Sequence, residues 1–387
     1  MKYPLATETW TDIEKKVAKD VIDSGMCTMG NITKEFEAKF AEFFGSKYAV
    51  FSNSGSSANL LAVAALVHKY NLQRGDEVIV PAVSWSTTYY PLQQYGLKLV
   101  FVDVNENDFN IDIDEVTKAL THKTRLIVAV NLLGMSCNFG ALEHICKSKN
   151  IILMEDNCES MGATYEDKYC GAIGEIGTFS TFFSHHICTV EGGVTVTNDE
   201  ELYHLMLSIR SHGWTRHLPD NNHIENKTGD SFYDSYRFVL PGYNLRNNDI
   251  FAAIGLEQLK KLPELVSKRI ENWDYMVCSL QYINVSNLKL QWTNDDRSSS
   301  SWFGFGFIYD GDRDSLVKTL TEEGIDTRPI VAGNFCKNPV IQYMNHRIVG
   351  DLPIANLIDK QGFFVGNNGS SLSSQIDHFI NIISKNA

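Results

Sequence analysis

The chain has 387 residues, with 34 lysines and arginines against 47 aspartates and glutamates, and its formal net charge is −13. That acidic excess argues against a nucleic acid partner, because phosphate backbones select for clustered lysine and arginine. No apolar run approaches the roughly 20 residues that span a bilayer, the N-terminus lacks the apolar core of a secretory signal, and eight cysteines are too few for a disulfide scaffold. We therefore expect a soluble, cytoplasmic α/β protein.

The predicted elements begin with helices and continue as an alternation of strands and helices. The first two are the amphipathic helices WTDIEKKVAKDVID and ITKEFEAKFAEFF, the second closed by Gly45. Nearly continuous apolar runs then predict buried parallel strands at YAVFS, EVIVPAV, LKLVFVDV, TRLIVAVNLLG and IILMEDN. Helix patterns separate them at SSANLLAVAALVHKY, TTYYPLQQY, DIDEVTKALT and ALEHICKSKN. This alternation favours a parallel sheet with helices on both faces.

The rest of the chain predicts a further strand and helix, and then a second α/β unit. GGVTVT is a strand pattern, DEELYHLMLSIRSHG a helix, and the stretch 215–240 is polar and irregular. A long helix begins near Asn248 and is predicted to break at Pro263. A strand near SSWFGFGFIYD and a helix near SQIDHFINIISK follow. The predicted parts are an N-terminal helical segment that packs with the small domain (1–44), a large domain (45–262) and a small C-terminal domain (263–387).

Three segments at predicted strand ends could carry chemistry, because ligands of such sheets bind beyond the carboxyl ends of the strands. In SNSGSSAN (52–59), free N–H groups and hydroxyls before a helix suit phosphate, although a serine N-cap with a glycine turn explains them equally. Asp156 could pair with a protonated heterocyclic nitrogen, bind a metal or cap the next segment. Trp85 could stack on a flat ring or fill the core.

The segment GTFSTFFSHHICTVEGG contains the adjacent His185 and His186. Neighbouring residues on a strand face opposite ways, so a two-histidine zinc site is not expected. One histidine could act as a general base, and the other could be a packing or surface residue. Lysine is absent from 169 through 226.

Taken in order, these segments resemble the fold type I pyridoxal-phosphate enzymes of the sugar aminotransferase group. The resemblance runs from about residue 8 to the C-terminus and includes PGYNLRNNDIFAAIGLEQLKKL (241–262). It implies an aspartate aminotransferase-like fold, with a mostly parallel seven-stranded-type sheet and a smaller C-terminal α/β domain. The group's motif reads roughly F-S-F-x-x-x-K-N-[LI]-x-x-x-E-G-G, and counting back six from Glu191 reaches His185 where the lysine should be.

This lysine-to-histidine exchange, with VSWSTTYYPLQQYG, EDNCESMGA, FFSHHI and RSHGWTRHLP, resembles a narrower family, the GDP-4-keto-6-deoxymannose 3-dehydratases of colitose biosynthesis for lipopolysaccharide O-antigen. The resemblance implies a lyase that removes the C3 hydroxyl of a 4-keto-6-deoxy nucleotide sugar. L-Glutamate would be the amino donor, and 2-oxoglutarate and ammonia would be released. Pyridoxal 5′-phosphate (PLP) or pyridoxamine 5′-phosphate would be held non-covalently, since imidazole cannot replace the lysine amine. The alternatives are a nucleotide-sugar 4-aminotransferase and a catalytically silent cofactor-binding homologue.

The resemblance also implies roles for individual residues. His185 would be the base, and His186 would contact substrate. Arg328 would either clamp a substrate carboxylate or phosphate or form a surface ion pair. The implied cofactor contacts are Gly55, Ser56 and Ser180 at the phosphate, Trp85 on the ring face, Asp156 at the pyridinium nitrogen, Glu159 near the ring hydroxyl, and Asn244 at the phosphate of a neighbouring subunit. A homodimer with shared active sites follows. A carboxylate at 159, where many relatives use glutamine, would have to share a proton. Without C-x-C or C-x-x-C motifs we expect no iron–sulfur cluster, and we expect no metal.

Overall fold

The computed structural model describes residues 1–283, 285–293 and 295–386, and Asn284, Asn294 and Ala387 of the predicted C-terminal domain lie outside it. The helices are α1 (Asp12–Ser24), α2 (Asn31–Phe44), α3 (Gly55–Tyr70), α4 (Ser86–Gln94), α5 (Ile113–Ala119), α6 (Phe139–Lys149), α7 (Glu200–Arg210), α8 (Ser231–Asp234), α9 (Asp249–Ile283), α10 (Arg313–Glu322), α11 (Pro353–Gln361) and α12 (Ser373–Asn386). The strands are β1 (Tyr48–Ser52), β2 (Glu77–Pro81), β3 (Lys98–Val102), β4 (Thr124–Val130), β5 (Ile152–Asp156), β6 (Thr164–Tyr165), β7 (Lys168–Tyr169), β8 (Ile176–Ser180), β9 (Gly193–Thr197), β10 (Leu288–Leu290), β11 (Ser298–Ser299), β12 (Gly304–Tyr309), β13 (Thr327–Arg328), β14 (His346–Ile348) and β15 (Gly362–Gly366).

The large sheet has eight strands in the order β1-β9-β8-β5-β4-β2-β3-β14. The six strands from β8 to β14 run parallel, and β9 is antiparallel to both of its neighbours. The apolar side chains of β2, β3 and β4 are fully buried, as strands covered by helices on both faces require. The predicted mostly parallel sheet is confirmed. Its edge strand β14 was not predicted and comes from the C-terminal part of the chain.

A second sheet, β10-β12-β15-β13, forms in the C-terminal part. It packs with α10 and α12 around its own apolar cluster, in which Phe307 stacks on both Phe363 and Phe379. Tyr3 is buried in the same cluster and donates its hydroxyl to the Gly366 carbonyl. The N-terminus is thereby attached to the C-terminal sheet. The three-part division of the chain stays a prediction.

The predicted break at Pro263 is wrong, because α9 continues from Asp249 to Ile283. Proline removes one backbone donor and strains the preceding turn. Tertiary packing outweighs that cost here, since α9 contacts α1, α2 and α12. It buries Leu259 and Leu262 before the proline and Met276 after it.

Candidate active site

A cavity of about 630 Å³ lies at the carboxyl ends of β4, β5 and β8, where the fold rule places ligands. The large sheet supplies its floor. One wall comes from the C-terminal part and includes Phe303, Arg328 and Phe364. Of the residues assigned by resemblance, those that line the cavity are Gly55, Ser56, Trp85, Asp156, Glu159, Ser180, His185 and Arg328.

The Gly-Ser corner of the cavity forms where β1 leads into α3. The Ser54 side chain caps the helix by accepting from Ser57 N at 3.1 Å. Strand β9 lies between β1 and β8, and Gly193 pairs with Ser52 on one side and Ser180 on the other. This register brings Ser180 so close to Gly55 that a Cβ on the glycine would lie 2.7 Å from the Ser180 Cβ. The corner therefore combines bare backbone at a helix N-terminus with serine hydroxyls, which suits an anion.

Asp156 ends β5 and is 5% exposed. Its Oδ2 accepts from Thr88 Oγ1 at 2.7 Å and from Asn59 Nδ2 at 2.9 Å, and its Oδ1 accepts from Cys158 N at 3.3 Å. No lysine, arginine or histidine nitrogen of the described chain lies within 4.0 Å of this carboxylate. A buried carboxylate without a cationic partner, on the wall of a cavity, is suited to a positively charged ligand group.

Asn59 and Thr88 were missed by the sequence reasoning, although each lies in a segment that it quoted. Asn59 is one turn after Gly55, next to the apolar middle of helix α3, and Thr88 lies on the buried face of α4. A lone polar side chain on a buried helix face was the available signal, since such groups need hydrogen-bond partners. Which partner each finds depends on the packing of both helices against β5.

Trp85 immediately precedes α4, lines the cavity and is 57% exposed. A tryptophan that fills a core would be far more covered. The structure therefore favours the first of the two sequence interpretations, an indole available for stacking on a flat ligand.

Glu159 is half-buried, and its Oε2 accepts from Leu133 N at 3.1 Å. Leu133 has a φ of 53° and is followed by Gly134 with a φ of 95°, so the turn after β4 presents its N–H groups toward this region. Burial, with the nearby charge of Asp156, raises the pKa of Glu159 to about 7, against the lowering effect of the Leu133 N–H. Near neutral pH this carboxyl group can hold or release a proton, as the prediction of a shared proton requires.

The two histidines have different environments. His185 is half-buried and lines the cavity, and its Nδ1 has no hydrogen-bond partner among the described residues. Burial and, second, the charge of Arg269 lower the pKa of His185 to about 4, so the ring is neutral at pH 7. His186 is fully buried, lies off the cavity wall and has its Nε2 3.1 Å from the Ser301 carbonyl oxygen. This position gives no support to the predicted substrate contact of His186 and fits a packing role.

Asn244 is exposed and accepts from Arg246 Nε at 2.9 Å. It lies outside the cavity of its own chain. Arg328, on β13, is exposed at the cavity wall. Over residues 1–283, 285–293 and 295–386, no group of three or more histidine, cysteine, aspartate or glutamate side chains is arranged to hold a metal ion. In the same ranges, no helix combines the length and apolar character that a membrane crossing requires.

The model of the DegT/DnrJ/EryC1/StrS aminotransferase family matches residues 9–383. The chain belongs to this family. Similar structures include one of an aminotransferase from Psychrobacter cryohalolentis, 24% identical with a TM-score of 0.88, covering 99% of this chain and 98% of that one. The predicted fold type is confirmed.

Two dehydratases are similar over almost their whole length. The GDP-4-keto-6-deoxy-D-mannose 3-dehydratase of Escherichia coli O55:H7 is 49% identical, covering 99% of this chain and 100% of that protein. The enzyme of the same name from Yersinia pseudotuberculosis is 50% identical, covering 100% of this chain and 99% of that protein. A crystal structure of GDP-4-keto-6-deoxymannose-3-dehydratase with a trapped PLP–glutamate geminal diamine has a TM-score of 0.95, covering 99% of this chain and 100% of that one. The narrower resemblance is also confirmed.

Proposed function

We propose that this protein is a PLP-dependent lyase that removes the C3 hydroxyl of GDP-4-keto-6-deoxy-D-mannose. The observation that carries the proposal is His185 on the cavity wall, in a stretch without lysine where this family ordinarily has its cofactor lysine. The near-full-length likeness to two enzymes named for this reaction supports the substrate.

The cavity fits the cofactor at three points. The corner at Gly55 offers backbone N–H groups and the Ser56 and Ser180 hydroxyls to a phosphate. Asp156, buried without a cationic partner among the described residues, is available to a protonated ring nitrogen. Trp85 exposes its indole on the wall of the same cavity. One end of the site thus suits an anion and the other a cationic heterocycle.

When bound, pyridoxamine phosphate supplies the amine that condenses with the C4 ketone and a ring that accepts electrons. Asp156 would keep the nitrogen of the bound cofactor ring protonated, which maintains this electron-accepting capacity. His185, neutral at pH 7, would accept the proton from C4′ of the cofactor on one of its imidazole nitrogens and would pass it to the departing C3 hydroxyl, which leaves as water. A lysine at this position would offer its proton to C4 of the sugar, the outcome of an aminotransferase.

L-Glutamate is the proposed amino donor, and a trapped PLP–glutamate adduct in a similar dehydratase supports it. The overall reaction balances because the two electrons that glutamate loses are gained by the sugar. Glutamate is oxidised to 2-oxoglutarate and ammonia, and C3 of the sugar is reduced from CHOH to CH₂. No outside reductant is required, which agrees with the proposed absence of an iron–sulfur cluster.

We also propose a cytoplasmic homodimer with shared active sites. The support is Asn244, which is exposed and outside its own cavity, as a residue that reaches a neighbouring subunit should be. Titration of an Asn244→Ala variant with PLP, together with its molar mass by light scattering, tests this arrangement. Weaker PLP binding with an unchanged dimer supports it, and unchanged PLP affinity contradicts it.

The test of the activity compares two variants. The purified protein is incubated with PLP, glutamate and GDP-4-keto-6-deoxy-D-mannose, and ammonia and the 3-deoxy sugar are followed. We expect His185→Asn to lower the rate by about 10²- to 10⁴-fold, the usual contribution of a general base. The matched control is His186→Asn, which changes the neighbouring histidine that lies off the cavity wall. Its rate should fall much less. An amino sugar without ammonia would identify an aminotransferase, and no response to glutamate would indicate a silent homologue.

A further inference from the structure

Behind the cavity wall, α9 carries a buried arginine with no acidic partner. Arg269 is 2% exposed, and its Nη1 donates to the carbonyls of Phe303 at 3.1 Å, Trp302 at 3.5 Å and Asn367. Its Nε has no hydrogen-bond partner, and no carboxylate lies within 4.0 Å of the guanidinium, among the residues that the structure describes. By contrast, the equally buried Arg210 pairs with Glu37. An unpaired buried cation is costly, as the lowering of the pKa of Arg269 by burial to about 9 indicates.

Two of the three carbonyls that Arg269 binds, those of Trp302 and Phe303, belong to a strained segment, Ser301–Phe303. Trp302 has a φ of 47°, a conformation that side-chain-bearing residues rarely adopt. Its indole stacks on Trp273, one turn after Arg269 on α9, with ring centroids 4.1 Å apart. Helix α9 thus holds this segment by carbonyl bonds and by stacking. Strain that is retained in this way is typical of functional sites.

The other side of the segment faces the two histidines. The Phe303 ring lies 5.3 Å from the His185 ring and 5.8 Å from the His186 ring, and the Ser301 carbonyl contacts His186. Phe303 thus contacts the Arg269 guanidinium through its carbonyl and both imidazoles through its ring, and a protein environment transmits charge effects better than water. The same charge is the second cause, after burial, of the low pKa of both histidines.

Other titratable groups also lie around His185, and the carboxyl groups among them oppose the effect of the Arg269 charge. The groups are Asp156, Cys158, Glu159, Glu191 and Arg328 on the cavity wall and the neighbouring His186. The carboxylates among them favour a protonated imidazole. Arg269 is the cation that opposes them from behind the wall.

We propose that Arg269 is a positioning residue, whose buried charge adds to the effect of burial in disfavouring the protonated form of His185, while its hydrogen bonds to backbone carbonyls hold Phe303 against the imidazole ring. The inference rests on the proposed role of His185 as proton acceptor. The Arg269 charge makes the imidazolium of His185 a stronger acid, so the imidazolium readily releases its proton to the departing hydroxyl. Arg269 thereby favours the second half of the proton transfer, at the expense of basicity in the first half, without touching the substrate.

The test is an NMR titration of the protein with ¹³C-labelled histidines, with the His185 signal assigned from the His185→Asn variant. In the unaltered protein we expect His185 to titrate near pH 4. In Arg269→Met the midpoint should rise by about one pH unit, as loss of one nearby buried charge predicts. Arg269→Lys, which keeps the charge, should stay close to the original value. The matched control Arg297→Met removes an exposed arginine that pairs with Asp295, and should leave the midpoint unchanged.

Two results would overturn the inference. One is a His185 midpoint near the ordinary value of 6.5 in the unaltered protein, a measurement that requires no Arg269 variant to fold. The other is the same midpoint in Arg269→Met and the unaltered protein. The titration needs no turnover, so it separates this inference from the proposed function. If His185 titrates as expected but no substrate is dehydrated, the proposed function fails while the charge effect stands.

Discussion

The contact between Gly55 and Ser180 makes a single methyl group a sharp probe of the phosphate corner. In Gly55→Ala the new Cβ would lie 2.7 Å from the Ser180 Cβ, 3.0 Å from its Oγ and 3.3 Å from the Cys158 Sγ. The first of these distances is far below normal carbon–carbon contact, so β8 or the start of α3 has to move. Since both carry predicted phosphate donors, stability and cofactor binding should fall together.

The size of the effect follows from two opposing contributions. Overpacking a well-filled site costs about 1–3 kcal/mol. Alanine is favoured over glycine in a helix by about 0.5–1 kcal/mol, which offsets part of that loss. We expect the free energy of unfolding to fall by up to about 2.5 kcal/mol. A displacement of the donors should weaken PLP binding by at least about tenfold, which corresponds to 1.4 kcal/mol.

Urea denaturation and spectroscopic PLP titration measure the two effects. The control is the same substitution in a Ser180→Gly background, where the 2.7 Å and 3.0 Å contacts cannot form. There Gly55→Ala should cost clearly less stability. An equal loss in both backgrounds would refute the contact as the cause, and unaltered PLP affinity would refute the phosphate corner.

Two other substitutions probe the acidic groups of the cavity. Thr88→Val removes the 2.7 Å hydrogen bond to Asp156. Since hydrogen bonds to charged groups are worth about 1.5–3 kcal/mol, a PLP titration of this variant should show an affinity lower by at least about tenfold. Ser84→Ala removes a hydroxyl that bonds Thr88 and makes no hydrogen bond to Asp156 itself, so its effect should be milder, and equal losses would contradict a direct role of Thr88. Glu159→Gln tests the raised pKa: between its ordinary value of 4.5 and about 7, the folded chain keeps a proton that the unfolded chain has released. The stability that this proton contributes is complete below pH 4.5 and is lost as pH rises through 7. In urea denaturation between these pH values, the free energy of unfolding of Glu159→Gln should therefore fall by up to about 3 kcal/mol less than that of the unaltered protein. Parallel pH profiles would contradict the shifted pKa.

Much of the fold and part of the site followed from the sequence because their signals are local. A buried strand needs a continuous apolar run, and a helix needs a 3.6-residue period, whatever lies elsewhere in the chain. The corner at Gly55, the strand-end Asp156 and the lysine-free stretch around His185 are likewise patterns within a few residues. The prediction of a break at Pro263 failed because a local rule was outweighed by the packing of α9 against distant helices.

The tertiary structure alone decided which distant groups support the local ones. Asn59 and Thr88 come from different helices to reach one oxygen of Asp156, and Arg269 lies behind a segment that contacts His185 from the C-terminal part of the chain. No periodicity encodes such pairings, because each depends on how separate elements pack. The sequence by itself determined which groups could do chemistry, through residue type and local pattern. Burial and long-range hydrogen bonds decided their protonation and orientation, since both depend on neighbours far away in the chain.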